Sequence, residues 1–213
     1  FLLNPVVLGV SGVISVEREY VRIDMIEVYK KHFEDYNINI IDTWDEPRVR
    51  EFKGKLVKGR YTRGFGSSSF EYAGKLYEPE PWNDIMYKLK QESEKLLWVK
   101  LGVDKQLTFC LCGYYGVDGK GIPHHSDTVP TLDDWIVSIS LGAPRVLVQS
   151  TYENPIKDNT NTSEIETEKE NFIIEEKFYM LEHGDVIVFD GHNQMFTTHA
   201  VPDMEHAGER INL

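Results

Sequence analysis

The sequence predicts an α+β chain with helices early and a β-sandwich or jelly roll as its main body. Three observations lead there. Two segments in the first half space their apolar residues at helical intervals. From residue 106 onward, short apolar or alternating runs are punctuated by Gly, Pro and Asp. No unit of 20–50 residues repeats, which excludes solenoids and propellers. A chain of 213 residues, 41% hydrophobic and 12% aromatic, suits one domain with a sizeable core. Helices followed by many strands read as α+β.

Taken in order, the opening "FLLNPVVLGVSGVISV" is apolar without a basic leader. It predicts a strand pair or a buried lead-in in preference to a signal peptide. Residues 17–34, "EREYVRIDMIEVYKKHFE", predict an amphipathic helix. Residues 47–74 combine glycines, alternation and aromatics, and predict short strands and loops. A second helix is expected over 81–102. Asn83 or Asp84 would cap it, and Ile85, Leu89, Leu96 and Leu97 would form its apolar face. Strands are expected within 106–115, 134–142, 145–152, 177–191 and 194–202. The polar, acidic stretch 153–177 predicts a solvated insertion or a long hairpin.

A net charge of −12 excludes binding to a polyanion through bulk charge, though not through a local patch. No apolar run reaches the roughly 20 residues that span a bilayer, so no membrane partner is expected. The only two cysteines, Cys110 and Cys112, would share one face of a strand with no sensible disulfide between them. A reducing, intracellular setting follows as an expectation, in cytoplasm or nucleus.

The chemistry concentrates in "GIPHHSDTVP", residues 121–130. On a strand, His125 and Asp127 point the same way, whereas His124 and Ser126 point away. One imidazole and one carboxylate form half of a facial metal triad, and a second histidine on a neighbouring strand would complete it. The C-terminal stretch "GDVIVFDGHNQMFTTHAVPDMEHAGERINL" supplies His199 on a strand-like run, then Arg210 and Asn212. A planar guanidinium is what a dicarboxylate co-substrate needs, because it meets a carboxylate bidentately.

The set His125-x-Asp127, "IVSISLGAPRVL", "GDVIVFDGHNQMFTTHAVP" and Arg210-x-Asn212 resembles the AlkB family of Fe(II)/2-oxoglutarate dioxygenases. The resemblance covers roughly residues 60–213. "GFGSSSFEYAGKLYEPEPW" resembles the region ahead of that family's jelly roll, where the nucleotide-recognition lid is built. It implies a double-stranded β-helix with N-terminal helices and a lid-like region. The implied boundaries are an extension over 1–46 and a dioxygenase domain over 47–213. Within the domain lie the lid-like 47–80, the jelly-roll core 106–213 and the acidic insertion 153–177. The resemblance implies iron at His125, Asp127 and His199. It implies 2-oxoglutarate at Tyr115, Arg210 and Asn212, with Arg210 and Tyr115 on the distal carboxylate. Where the family usually has Asn, two residues before the Tyr, this chain has Gly113.

The implied activity is hydroxylation or oxidative demethylation of alkylated bases in DNA or RNA. Two alternatives are a dioxygenase acting on another substrate and an inactive jelly-roll module that binds nucleic acid. A zinc hydrolase would use the same ligands but leaves Arg210 unexplained. Seven basic residues, Arg48, Arg50, Lys53, Lys55, Lys58, Arg60 and Arg63, crowd into residues 48–63 against one acid, Glu51. Such a patch can bind phosphates from the rim of the iron pocket. Aromatics follow, so Arg60, Tyr61, Arg63, Phe65 and Tyr72 are the candidate substrate contacts, with some rings stacking on an extruded base. Repair members commonly place further acids after His-x-Asp. Thr128-Val129-Pro130 stands there instead, pointing away from a cationic base. His183, His192 and His206 are expected to be loop residues, Asp185 a turn residue, and Asp190 a neighbour of the ligands. Arg145 suits either the site or a strand edge.

Overall fold

The computed structural model describes residues 26–47, 49–52, 55–58, 60–72, 75–127, 135–156, 171–190 and 194–213. The elements in order are β1 (Ile26–Tyr29), β2 (Val49–Phe52), β3 (Lys55–Lys58), β4 (Tyr61–Gly66), β5 (Phe70–Tyr72), β6 (Lys75–Tyr77) and helix α1 (Asp84–Leu96). Then come β7 (Phe109–Tyr115), β8 (Ile122–His125), β9 (Trp135–Gly142), β10 (Arg145–Tyr152), β11 (Ile173–Leu181), β12 (Val186–Asp190), β13 (Thr197–Val201) and β14 (Arg210–Asn212).

Among the described residues, ten strands form the jelly roll. A six-stranded sheet runs β1-β12-β9-β14-β7-β4, and a four-stranded sheet runs β11-β10-β13-β8. Every pairing is antiparallel. Two hairpins, β2–β3 and β5–β6, stand apart from both sheets. Inside the roll, Leu147 and Leu181 of the smaller sheet meet Ile187 and Phe189 of the larger one. On the other face of the larger sheet, Met86, Leu89, Leu96 and Leu97 pack with Cys112, Ile139, Leu141 and Ile211. The helix therefore buttresses the outer face, and the inner face is left for a cavity.

Helix α1 begins where Asn83 caps it, its side chain accepting the Met86 N–H at 2.9 Å. It continues as a π-type turn, Leu97–Leu101, and stops at Gly102 with φ +68°. Ile85, expected on the apolar face, is exposed, because the helix turns Met86 and Leu89 inward instead. The helix expected over 17–34 is also corrected. Residues 17–25 lie outside the described residues, and Ile26–Tyr29 is a strand paired with Val186–Phe189. Ile26 and Val28 pack into the cluster between the sheets, and Tyr29 packs into the helix-side core. Period two wins because a neighbouring strand is there to take the backbone hydrogen bonds. The strands of the second half fall where the alternation puts them. Residues 157–170 of the acidic stretch lie outside the described residues, and its end enters β11.

Asp185 fixes the turn between β11 and β12, as expected of it. Its fully buried carboxylate accepts Lys31 N–H at 2.9 Å, Glu182 N–H at 2.7 Å and Lys30 Nζ at 2.6 Å. Burial opposes its ionisation, but Lys30 and the two backbone donors hold the carboxyl below its ordinary range. Gly184, at φ +81°, lets this turn meet the turn after β1: a Cβ there would lie 2.5 Å from the Glu34 nitrogen. Among the described residues no helix is long and apolar enough to cross a membrane.

Replacing Asp185 by Ala should destabilise the fold by roughly 3 kcal/mol, since the buried carboxylate that accepts from two backbone N–H groups and Lys30 is lost. Urea denaturation at neutral pH measures it. In the wild type this contribution is complete above the ordinary carboxylate pKa and is lost as pH falls through the depressed one.

Candidate active site

The site is built from strand register. His125 on β8 lies directly opposite His199 on β13, and their ring centroids are 4.3 Å apart. Asp127 follows His125 by two residues and turns to the same side. Its Oδ2 is 3.3 Å from His199 Nε2, and its Oδ1 is 3.8 Å from His125 Nε2. One ligand atom from each of the three lies within 4.8 Å of the others. Ligands at about 2.0–2.2 Å from one ion stand roughly 3 Å apart at right angles, so a small inward movement satisfies a metal. Two imidazoles and one carboxylate on a single side leave the opposite positions open, which is the donor set of non-haem Fe(II).

The supports of the ligands are local. His125 Nδ1 lies 2.8 Å from the Pro123 carbonyl. A carbonyl only accepts, so Nδ1 carries the proton and Nε2 offers its lone pair inward. Phe189 stacks on His199 with centroids 5.4 Å apart. Buried Gln194 ties down the Asp127 loop: its side-chain oxygen accepts the Asp127 N–H at 3.3 Å, and its carbonyl accepts the Ser126 hydroxyl at 2.6 Å. His124 points to the other face, against Thr198 Oγ1 at 3.0 Å. Burial, then the neighbouring His199, pushes His125 down to about 4 against the opposing pull of Asp127.

The larger sheet supplies the other half. Arg210 on β14 lies opposite Tyr115 on β7 and is buried. Its Nη2 donates to Ser140 Oγ at 2.7 Å, while Nε and Nη1 meet no protein acceptor. Two more guanidinium groups surround the Tyr115 ring. Arg60 lies 4.7 Å, Arg210 5.5 Å and Arg145 5.9 Å from its centroid. Burial first, with repulsion from Arg145 and Arg60, pushes Arg210 down to about 10. Buried cationic donors without acceptors are costly unless an anion meets them. A carboxylate fits this requirement. Asn212 is held beside them by Ser138 Oγ at 2.8 Å and the Ile139 carbonyl at 2.9 Å. One cavity of about 330 Å³ is lined by Arg60, Tyr115, Arg210 and Asn212 and by all three metal-site side chains.

The expected substrate contacts do not all face the cavity. Strand β4 alternates, so Arg60 and Thr62 line the cavity while Tyr61, Arg63 and Phe65 are absent from its walls. Phe65 is buried in the helix-side core, and Tyr61 meets Tyr114 edge-on at 6.3 Å. Arg63 pairs with Asp45 at 3.1 Å and with Glu80. Arg60 lines the interior and donates to the Tyr115 hydroxyl. The side chains of Arg50, Lys53, Lys55, Lys58 and Tyr72, together with Arg48, lie outside the described residues. Ser138, Ser140 and Gln194 were not singled out by sequence reasoning. Two serines at period two in apolar "IVSISLG" are the signal that marks the first two.

His183 braces a loop, its Nδ1 accepting Gly142 N–H and its Nε2 donating to the Glu34 carbonyl, both at 3.0 Å. His206 sits in an exposed turn at φ +57°, and His192 lies outside the described residues. Half-buried Asp190 ends β12 opposite Trp135. Arg145 is buried and donates to the Gly119 carbonyl at 3.0 Å. Cys110 and Cys112 are free thiols with sulfurs 3.8 Å apart, and burial pushes Cys112 well up.

A family model described as the 2OG-Fe(II) oxygenase superfamily matches residues 41–213. Among curated proteins, the alpha-ketoglutarate-dependent dioxygenase alkB homolog 3 of Bos taurus is 28% identical over 158 residues, covering 72% of this chain and 50% of the relative. The Homo sapiens protein of the same name is 27% identical, with the same two coverages. The chain spans about half the length of the curated relatives it matches. Among solved structures, OsALKBH1 aligns with TM-score 0.53 at 18% identity, covering 91% of this chain and 98% of that one. That likeness is one of fold.

The depressed His125 has a consequence for the metal-free protein. The unfolded imidazole takes up its proton near pH 6.5, and the folded one not until about 4. The unfolded state therefore binds more protons between these values, and stability should fall as pH drops from 6.5 toward 4. Urea denaturation at pH 7 and pH 5 should show the loss, and His125→Gln should reduce it.

Proposed function

Because the chain belongs to the 2OG-Fe(II) oxygenase superfamily, among its AlkB-like members, we propose that it is an Fe(II)- and 2-oxoglutarate-dependent dioxygenase acting on alkylated bases in nucleic acid. The observation that carries this reading is one cavity with a two-histidine, one-carboxylate cluster on one sheet and unsatisfied buried arginine donors on the other. A metal alone does not account for the arginines. A dianionic co-substrate alone does not account for the histidines.

In this reading His125, Asp127 and His199 hold the iron. Arg210 and the Tyr115 hydroxyl take the distal carboxylate of 2-oxoglutarate, and Asn212 lies beside them. Bound together, iron and co-substrate supply an oxidant for an unactivated C–H bond; on an N-methyl group, hydroxylation releases formaldehyde. The protein's own contribution is placement. Ser140 holds one edge of Arg210 so that the other edge faces the ligand. Pro123 fixes the His125 tautomer. The apolar walls, Leu147 and Phe189 among them, exclude water.

The nucleic-acid part rests on the AlkB resemblance and on the basic sequence of the β2–β3 hairpin, with the hairpins β2–β3 and β5–β6 as the recognition lid. Ser68, Ser69, Lys105 and Gln106 on the cavity wall offer polar contacts to a base or its phosphate. The free cysteines suit an intracellular setting.

A panel of methylated DNA and RNA oligonucleotides, with iron and 2-oxoglutarate, tests the reading by succinate release. Asp127→Ala should abolish iron-dependent turnover while the fold persists; unchanged succinate would sink the mechanism. Arg210→Ala should raise the 2-oxoglutarate requirement about a hundredfold, as a charged hydrogen-bonded contact in a buried site is lost. Succinate formation that no oligonucleotide stimulates would leave the dioxygenase and remove the nucleic acid.

A further inference from the structure

We propose that Arg60 is a specificity-determining residue for the co-substrate, made possible by the missing side chain at Gly113. This rests on 2-oxoglutarate being the co-substrate. Arg60 stands just ahead of the pair Tyr61–Tyr114, and Thr62 is opposite Gly113. Its guanidinium crosses the backbone of β7 at Gly113: a Cβ built there would meet Arg60 Nη1 at 3.6 Å and Cζ at 3.7 Å. A methyl group would touch the guanidinium at ordinary contact distance. Any longer side chain would occupy the space it fills.

The bare position lets Arg60 reach Tyr115. Its Nη1 donates to the Tyr115 hydroxyl, and its guanidinium carbon lies 4.7 Å from the ring centroid. The phenol oxygen accepts from Arg60, so its own hydrogen is free to be donated to a ligand. Arg60 and Arg210 both line the cavity, on either side of Tyr115 in the larger sheet, and both lie within cation–π range of its ring. A carboxylate at the Tyr115 hydroxyl would thus meet two guanidinium charges. The third, Arg145, does not line the cavity and is tied to the Gly119 carbonyl. Arg60 and Gly113 act as one device: the glycine gives space, and the arginine supplies charge and orients the phenol.

The device predicts selectivity for a distal carboxylate. The test uses the full chain loaded with Mn(II) under anaerobic conditions. Calorimetry compares 2-oxoglutarate with 2-oxopentanoate, which has the same chain length and lacks the distal carboxylate. Arg60→Met should weaken 2-oxoglutarate at least tenfold, the loss of a charged hydrogen bond, and leave 2-oxopentanoate nearly unchanged. A purely structural role would weaken both ligands together. Gly113→Asn should weaken 2-oxoglutarate by displacing Arg60, whereas Gly113→Ala should be close to wild type. The double variant Arg60→Met/Gly113→Asn should be no worse than the poorer single variant, since both changes remove one contact.

The inference is overturned if Arg60→Met binds 2-oxoglutarate like wild type, if both ligands weaken equally, or if the two substitutions add in full. Arg210→Ala separates this failure from that of the wider reading. Loss of 2-oxoglutarate in Arg210→Ala but not in Arg60→Met defeats the role of Arg60 alone. If wild type does not bind 2-oxoglutarate, the co-substrate reading falls as well.

Discussion

Strand β14 is three residues long and sits inside the larger sheet, paired with β7 on one side and β9 on the other. That double pairing holds the cavity together. It sets Arg210 opposite Tyr115 and Gly142, and Asn212 opposite Gly113 and Ser140. Because side chains alternate, Arg210 and Asn212 face inward together, while Ile211 packs outward into the core under α1. A slip of one residue would put Ile211 in the cavity and a guanidinium in the apolar core. The cost of burying that charge among Met86, Leu89 and Leu141 guards the register.

The smaller sheet obeys the same rule with different chemistry. The pair His199–His125 fixes two imidazoles on one side, and Asp127 arrives two residues later without a further strand. Each half of the site is thus a period-two pattern on one sheet. The halves meet only because the two sheets close over a common space, so neither half is functional by itself. The outer buttress matters for the same reason. Helix α1 covers the outer face of the larger sheet, and buried Phe33 donates its N–H to the Gly184 carbonyl in the turn that this glycine allows.

Patterns confined to one strand were legible in the sequence. His125-x-Asp127, Arg210-x-Asn212 and the apolar runs of β9, β10 and β12 each carry their own period. What depends on a partner was not legible. Ile26–Tyr29 has spacing that suits either a helix or a strand, and only β12 decides between them. Ile85 lies within a correctly expected helix but on its wet side, because the direction of the sheet is not written in the helix. Arg60, Tyr61, Arg63 and Phe65 read as one basic, aromatic surface. The pleat of β4 divides them between a cavity and a core, and acids eighteen and seventeen residues away, Asp45 and Glu80, take up Arg63.

Charge makes the last connection. The whole chain carries −12, yet the cavity gathers Arg60 and Arg210 at one end, with Arg145 behind them. A dianion approaching from solution meets net repulsion, screened beyond a Debye length of about 8 Å. Attraction therefore has to act at short range, where low-dielectric walls strengthen it. That favours arginines that are buried and preorganised over a broad basic surface. The cost is paid in the free protein, where Arg210 is held with two donors unmatched and its proton affinity lowered to about 10. A bound carboxylate removes that penalty, so part of the binding free energy comes from relieving the protein itself. The same reasoning separates the two anions of the proposed reaction. The small one can rely on these buried charges. A polyanion cannot enter so deep, and in the proposed reaction its field would come from side chains at the mouth.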